Sequence, residues 1–273
     1  MQKVIVLNKK EGETPLQALE CFRAKHKEYK DLKMTYAGRL DPMASGVLVI
    51  LAGEETKNKD KYLNLDKEYN FEILFGFSTD TYDILGKIIK TRNLIVKKED
   101  LEKTIKEELK NFKGKLIQKY PIYSSKTVSG KQLFQYAREG EEVEIPKREI
   151  NIKKINLIKI RKAKGCVLKN KIYKRINSVV GDFRQKEIIK IWDKMIDENQ
   201  YYFVASLNIK CGSGTYVRGI ANSLGENINI PALAWSIKRT KVGRYNINKK
   251  QPPCLRHGGR KLDDVDDINS ALA

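Results

Sequence analysis

A chain of 273 residues with 41% hydrophobic and 8% aromatic content can bury a sizeable core, as one large domain or two smaller ones. Its 54 Lys and Arg against 34 Asp and Glu leave a net charge of +20. That surplus favours a polyanionic partner, because each neutralised phosphate releases condensed counterions; a proteome drifting basic for solubility is the plainer alternative.

The four cysteines, Cys21, Cys166, Cys211 and Cys254, include no C-x-x-C pair. Their spacing supports neither a zinc knuckle nor a disulfide framework and fits a reducing cytoplasm. The N-terminus has no long apolar signal-peptide core, and the longest apolar run, 47–52, is far too short to span a bilayer. A cytoplasmic protein is expected.

In chain order, "KVIVL" at 3–7 predicts a short strand. Thr14 and Pro15 then open a helix, as N-cap and first helical residue. The β-branched apolar run 47–51 has the length of a buried strand. Residues 67–77, "KEYNFEILFGF", alternate polar and apolar as a half-buried strand does. A charged amphipathic helix is predicted over 98–110, with Leu101, Ile105 and Leu109 four residues apart. After an extended start near 114 and a loop, a short helix falls near 133–138. A strand is expected over 153–160, a hairpin at 163–165 and a helix near 182–197. Strand 202–211 leads through the glycine turn "GSGTY" into another helix, and "TKVGRYNI" closes the regular part as a strand. The stretch 147–190 holds fifteen Lys and Arg against three Asp and Glu. Residues from 248 onward have no strand pattern and read as a tail. Strands and helices intermingle without repeats, which predicts an α/β mixed sheet with antiparallel strands, mainly in one domain.

Three elements could carry chemistry. Asp41 lies in "AGRLDPMASG", where Gly38 and Gly46 permit sharp bends and Pro42 biases Asp41 toward extended backbone. Its carboxylate should sit on a loop just before the 47–51 strand, although a lone "LDP" more often marks a plain turn cap. Arg218, a few residues into the helix after "GSGTY", could pair bidentately with a carboxylate or be an ordinary surface arginine. Tyr69 and Tyr216 could stack a flipped base near Lys57, Lys67 and Arg218, or be core tyrosines. "STDTYDILG" lacks a calcium-loop pattern, and the two histidines, His26 and His257, fall in a helix and in the tail. A metal cluster or a Ser-His-Asp triad is therefore not expected.

These segments together resemble the tRNA pseudouridine synthases of the TruB type. "AGRLDPMASGVLVILAGEETK" resembles that family's catalytic-Asp block and its G-E-x-T-K continuation. "LDKEYNFEILFGFSTDTYDILG" resembles the K-x-Y block followed by G-x-x-T-D-T-x-D-x-x-G. "YPIYSSKTVSGKQLFQYAREG" resembles the insertion that grips RNA, "CGSGTYVRGIANSLGE" the S-x-G-T-Y-[I/V]-R block, and "NKKEGETP" the opening K-x-x-G-x-T-S. The resemblance covers about residues 1–161 and 201–247.

It implies an α/β (α+β) pseudouridine-synthase fold, a mostly antiparallel mixed sheet flanked by helices with an RNA-gripping insertion. It implies isomerisation of uridine 55 in the T loop of tRNA, acting as a monomer on the T arm, with no metal and no organic cofactor. Asp41 would be the catalytic aspartate, Tyr69 would stack on the uracil and assist proton removal from C5, and Arg218 would pair with Asp41. Tyr216 and Ile237 would line the pocket, and Lys57 would bind phosphate. Whether Asp41 attacks the sugar, attacks the base or removes a sugar proton stays open.

The chain departs from the family pattern in three places. Tyr36 stands where the family has a histidine that supports the flipped RNA, so either Tyr36 stacks in its place or the affinity for RNA differs. Arg39 makes "GRLD", which resembles the ribosomal-RNA synthases and keeps that substrate open. Residues 1–247 are expected to form the catalytic domain, with a basic insertion at about 162–200 that grips tRNA. Only a tail, 248–273, stands where most bacterial members carry a small RNA-binding domain.

Overall fold

The computed structural model describes residues 2–247. Its pivot is strand β3 (Ala44–Ala52), the apolar run that the sequence marks as buried. Period-two geometry sends alternate side chains to opposite faces. Leu48 and Ile50 pack with Ile5, Ala18 and Leu19, while Val47, Val49 and Leu51 pack with Ala37 and Val242.

β1 (Val4–Lys9) pairs antiparallel with β3. Helix α1 (Pro15–Lys25) follows, opened as expected by Thr14: its Oγ1 accepts from Gln17 N at 3.2 Å, and Gln17 Oε1 accepts from Thr14 N at 2.8 Å. β2 (Met34–Ala37) pairs with the C-terminal half of β3. Beyond β3 come the short α2 (Lys59–Leu63) and β4 (Lys67–Phe75). The strand expected over 67–77 is broken at Gly76, which takes φ +105 and hands the chain to β5 (Phe77–Thr79), paired with β6 (Ile88–Thr91).

The predicted amphipathic helix is α3 (Lys98–Glu108), with Leu101 and Ile105 buried. β7 (Gly114–Lys119), the small hairpin β8 (Thr127–Val128) and β9 (Lys131–Gln132), and α4 (Leu133–Glu139) follow.

The predicted hairpin at 163–165 does not form. β10 (Lys147–Lys164) runs unbroken for 18 residues, and α5 (Gly165–Asn177) begins directly after it. Gly165 serves close approach, not a turn: a Cβ there would lie 1.9 Å from Asp197 O. α6 (Gln185–Met195), β11 (Tyr201–Cys211) and α7 (Val217–Asn227) come next. The closing strand is longer than its sequence suggests, with β12 (Ala232–Val242) turning at Gly243 into β13 (Tyr245–Asn246).

The main sheet runs β1-β3-β12-β4-β11-β10-β7, with β2 beside β3 and β13 beside β12. Among the strand pairs of the described residues only β3–β12 is parallel, so the sheet is mixed and mostly antiparallel as expected. On one face Phe71, Ile73, Phe75, Ala205 and Leu207 meet α3 and α7. On the other, Leu74, Val204, Leu233 and Trp235 are covered by Leu168, Ile172 and Ile176 of α5 and by Ile188 and Trp192 of α6. The α5–α6 insertion is thus a layer of the fold and not an appended arm. Cys166 and Cys211 carry free thiols, and Cys254 lies in the tail 248–273, outside the described residues.

Candidate active site

Asp41 lies in the bend between β2 and β3. Gly38, at φ +87, turns the chain out of β2, and Ala44 N donates to Asp41 O at 3.0 Å as β3 begins. Gly12 N donates to Pro42 O at 2.8 Å, tying the bend to the loop after β1. Beneath it lies Arg239 of β12, whose Nε donates to Val47 O at 2.7 Å, Nη2 to Gly38 O at 3.0 Å and Nη1 to Arg39 O at 3.2 Å. One buried guanidinium thereby holds both ends of the bend.

Arg218 enters from the second position of α7, as the glycine turn suggested. Its Nε donates to Asp41 Oδ2 at 2.8 Å and its Nη2 to Asp41 Oδ1 at 3.3 Å, a bidentate pair. The remaining donors reach Thr81 O at 2.7 Å and Tyr123 O at 2.8 Å. The Arg218 side chain is 3% exposed while that of Asp41 is 35% exposed, so the cation is sealed and the carboxylate faces outward. Burial alone would push the Arg218 guanidinium down; Asp41 and Asp83 outweigh it and hold it above its ordinary value.

Above Asp41 opens a cleft of about 1060 Å³. Four aromatic or apolar residues picked from the sequence line it: Tyr36, Tyr69, Tyr216 and Ile237. Tyr69 is buried on β4, directly across from Arg239. Burial holds its phenol above the usual range, with Arg239 pulling the other way. Tyr216 packs edge-on against Tyr120, with ring centres 5.7 Å apart, and Gln118 Oε1 accepts from its backbone N at 2.9 Å. Lys59 Nζ lies 5.9 Å from the centre of the Tyr36 ring. Lys57 is not brought into this group: its side chain is exposed and ion-paired with Glu54. The cations that line the cleft include Lys59, Lys67, Lys126 and Arg148.

Sequence reasoning missed several members of this constellation. Asp83, set aside as part of a failed calcium loop, is a second carboxylate beside Arg218. It accepts from Thr81 Oγ1 at 2.7 Å and Leu85 N at 2.9 Å. Burial raises it to about 6, against the lowering pull of Arg218. Lys9, unmarked in the sequence, is also buried, as is Lys67, which the sequence places near the tyrosines; each is bonded to backbone carbonyls, Lys9 to Glu13 O at 2.6 Å and Lys67 to Leu65 O at 2.6 Å. Burial lowers both to about 8. Nothing in local spacing marks Arg239, whose carbonyl partners Gly38, Arg39 and Val47 lie far away along the chain, or shows that Asp83, bonded to near neighbours, faces the distant Arg218.

Among the described residues, no group of three or more His, Cys, Asp and Glu is placed to hold a metal, and no helix is long and apolar enough to cross a membrane. The model of the family described as "TruB family pseudouridylate synthase (N terminal domain)" matches residues 24–173. The chain belongs to the TruB family. It is accordingly a pseudouridine synthase, an isomerase. It is 32% identical over 247 residues to the tRNA pseudouridine synthase B of Clostridium kluyveri, covering 90% of this chain and 69% of that one. To the tRNA pseudouridine synthase B of Caldanaerobacter subterraneus subsp. tengcongensis it is 35% identical over 241 residues, covering 88% of this chain and 70% of the other.

Among solved structures, a Cbf5-Nop10-Gar1 complex contains a chain that matches with a TM-score of 0.53 at 18% identity, over 90% of this TruB-family chain and 50% of the other. The archaeal box H/ACA sRNP Nop10-Cbf5 complex gives 0.51 at 16%, over 92% and 51%. The chain spans about half the length of those structures, and the likeness to them shows the fold.

Proposed function

We propose that this TruB-family chain isomerises uridine 55 in the T loop of tRNA, as a cytoplasmic monomer, with Asp41 as the catalytic carboxylate. The observation that carries this reading is the Arg218–Asp41 pair: a sealed bidentate cation aims a partly exposed carboxylate into an aromatic-lined cleft. Residues 1–247 act as the catalytic unit, with the insertion at about 162–200 built into it.

The chemistry follows from what the cleft can hold. The uridine leaves its stack at a cost of about a few kcal/mol and enters beside Tyr69, Tyr216 and Ile237, with Tyr36 stacking at the rim. The C1′–N1 bond breaks, the uracil turns, C5 joins C1′, and the C5 proton leaves as N1 takes one up. Asp41 acts at the sugar or at the base. Arg218 keeps the carboxylate in one orientation, as electrostatic preorganisation requires. Tyr69, held as a neutral phenol by its burial, passes the C5 proton along and carries no lasting charge. Lys57, exposed outside the cleft, meets the RNA backbone as a phosphate contact.

Release of tritium from C5-labelled uridine in an unmodified tRNA transcript tests this, with primer stops locating the product. Release with a stop at the T-loop uridine, abolished in Asp41→Asn, is the expected result. Release only from ribosomal RNA, or tight tRNA binding without release, overturns the reading in favour of a ribosomal-RNA enzyme or a tRNA-folding chaperone.

A further inference from the structure

Arg218 takes its position from two backbone carbonyls on separate segments, Thr81 O and Tyr123 O. A single side chain from the α5–α6 insertion grips both. Arg184 Nη1 donates to Asp80 Oδ2 at 2.8 Å and Nη2 to Asp80 Oδ1 at 3.4 Å, one residue before Thr81. Its Cζ also lies 4.3 Å from the centre of the Tyr123 ring. Asp80 Oδ1 accepts in addition from Lys87 N at 2.8 Å, closing the loop on itself.

The tip that carries Arg184 is braced from several sides. Arg184 holds φ +62, a left-handed conformation that non-glycine residues seldom adopt and that tends to persist where the surroundings impose it. Arg138 of α4 donates to Asp182 O at 2.7 Å, and Gln185 Oε1 accepts from Phe183 N at 2.8 Å. From α6, the buried Trp192 Nε1 donates to Ile84 O at 3.2 Å, fastening the same loop that carries Thr81 and Asp83. Tip and α6 both lie beyond the 24–173 segment that the family model matches.

We propose that Arg184 is a positioning residue that clamps the 80–84 loop to the Tyr123 segment, so that both carbonyls are presented to Arg218 and Asp41 is held in register. The geometry favours this over a phosphate contact. The Arg184 and Asp80 side chains are only 20% and 21% exposed, and the guanidinium charge is already matched by a bidentate carboxylate and an aromatic face. A cation waiting for RNA would be left unmatched.

The inference rests on the proposed roles of Arg218 and Asp41, and two measurements on the full chain separate it from them. The first is hydrogen exchange of the free protein. In Arg184→Ala the amides of Tyr82, Lys87 and Phe134, bonded within or beside the clamped segments, exchange faster, while those of β3 do not change. This result is independent of any activity, so a wild-type protein that releases no tritium sinks the uridine reading and leaves the clamp intact. The second is single-turnover tritium release with tRNA transcript. Arg184→Ala slows it about a hundredfold, the cost of a small misplacement at the reacting centre, with the tRNA Kd within about twofold. Arg184→Lys, which keeps the charge without the fork, falls between. Unchanged protection at all three amides overturns the clamp. So does a loss confined to tRNA affinity with a shallower salt dependence, which makes Arg184 a phosphate contact instead.

Discussion

Two buried arginines line the same cleft, and their partners differ in kind. Arg239, 1% exposed, donates to three backbone carbonyls flanking Asp41 and has no carboxylate partner among the described residues. Arg218, 3% exposed, also takes two carbonyls but spends its other donors on the Asp41 carboxylate. A buried cation solvated by carbonyl dipoles shapes backbone; one that faces a carboxylate orients the group that reacts. Arg239 therefore decides where the Asp41 bend sits, and Arg218 decides where its oxygens point.

The same division explains Gly46, at φ +107. A Cβ there would lie 2.1 Å from Arg239 O, so β12 can approach β3 closely enough to deliver Arg239 only past a glycine.

The contrast can be broken or sharpened by experiment. Asp41→Asn should have the largest effect, lowering isomerisation at least about a thousandfold, or ~4 kcal/mol, while a binding assay shows tRNA still held. Arg218→Lys loses the fork and should cost about a hundredfold, ~3 kcal/mol of transition-state stabilisation, with a smaller fall in Tm than Arg239→Lys, because two backbone carbonyls are involved where Arg239 holds three. A variant that instead unfolds would make Arg218 a scaffold like Arg239.

Asp83 tests the electrostatics between the two carboxylates. Its pKa is raised from 3.8 to about 6 by burial, so the folded protein binds the proton more tightly than the unfolded chain. Its stabilising contribution is present below pH ~4 and lost as pH rises through about 6, worth on the order of 3 kcal/mol. Urea unfolding at stepped pH should show that fall in the wild type and a flatter profile in Asp83→Asn. An unaltered slope would assign the fall to other groups.

Arg239→Lys should give the smallest but most discriminating effect. It should lower stability by about 2 kcal/mol, because buried carbonyls lose their donors, with a loss of rate smaller than that of Arg218→Lys. Full stability with abolished catalysis would erase the distinction between the two arginines.

Much of the fold was written in local pattern. The Thr14 cap, the 47–51 run, the alternation from 67 and the amphipathic helix near 98 each depend on neighbours within a few residues, where spacing and side-chain chemistry act directly. Helix α5 was legible too, since Leu168, Ile172 and Ile176 recur every four residues; the surrounding lysines and the glycine at 165 drew attention to a turn instead.

Asp41 and Arg218 could be chosen as candidates because glycines and a proline mark their loops. That 177 positions separate them in the chain, yet their side chains form a bidentate pair, is a property of the sheet: β3 and β12 bring the bend to one side of the cleft and α7 delivers the arginine from the other.

The reach of Arg239 to the bend, the burial that raises Asp83, and the placement of Arg184 between Asp80 and Tyr123 were likewise decided only in three dimensions. The physical reason is common to them all. Caps, turns and amphipathic faces are energies of near neighbours, which sequence order preserves. Desolvation and long-range charge pairing depend on which surfaces meet when the sheet closes, and no local stretch of residues carries that information.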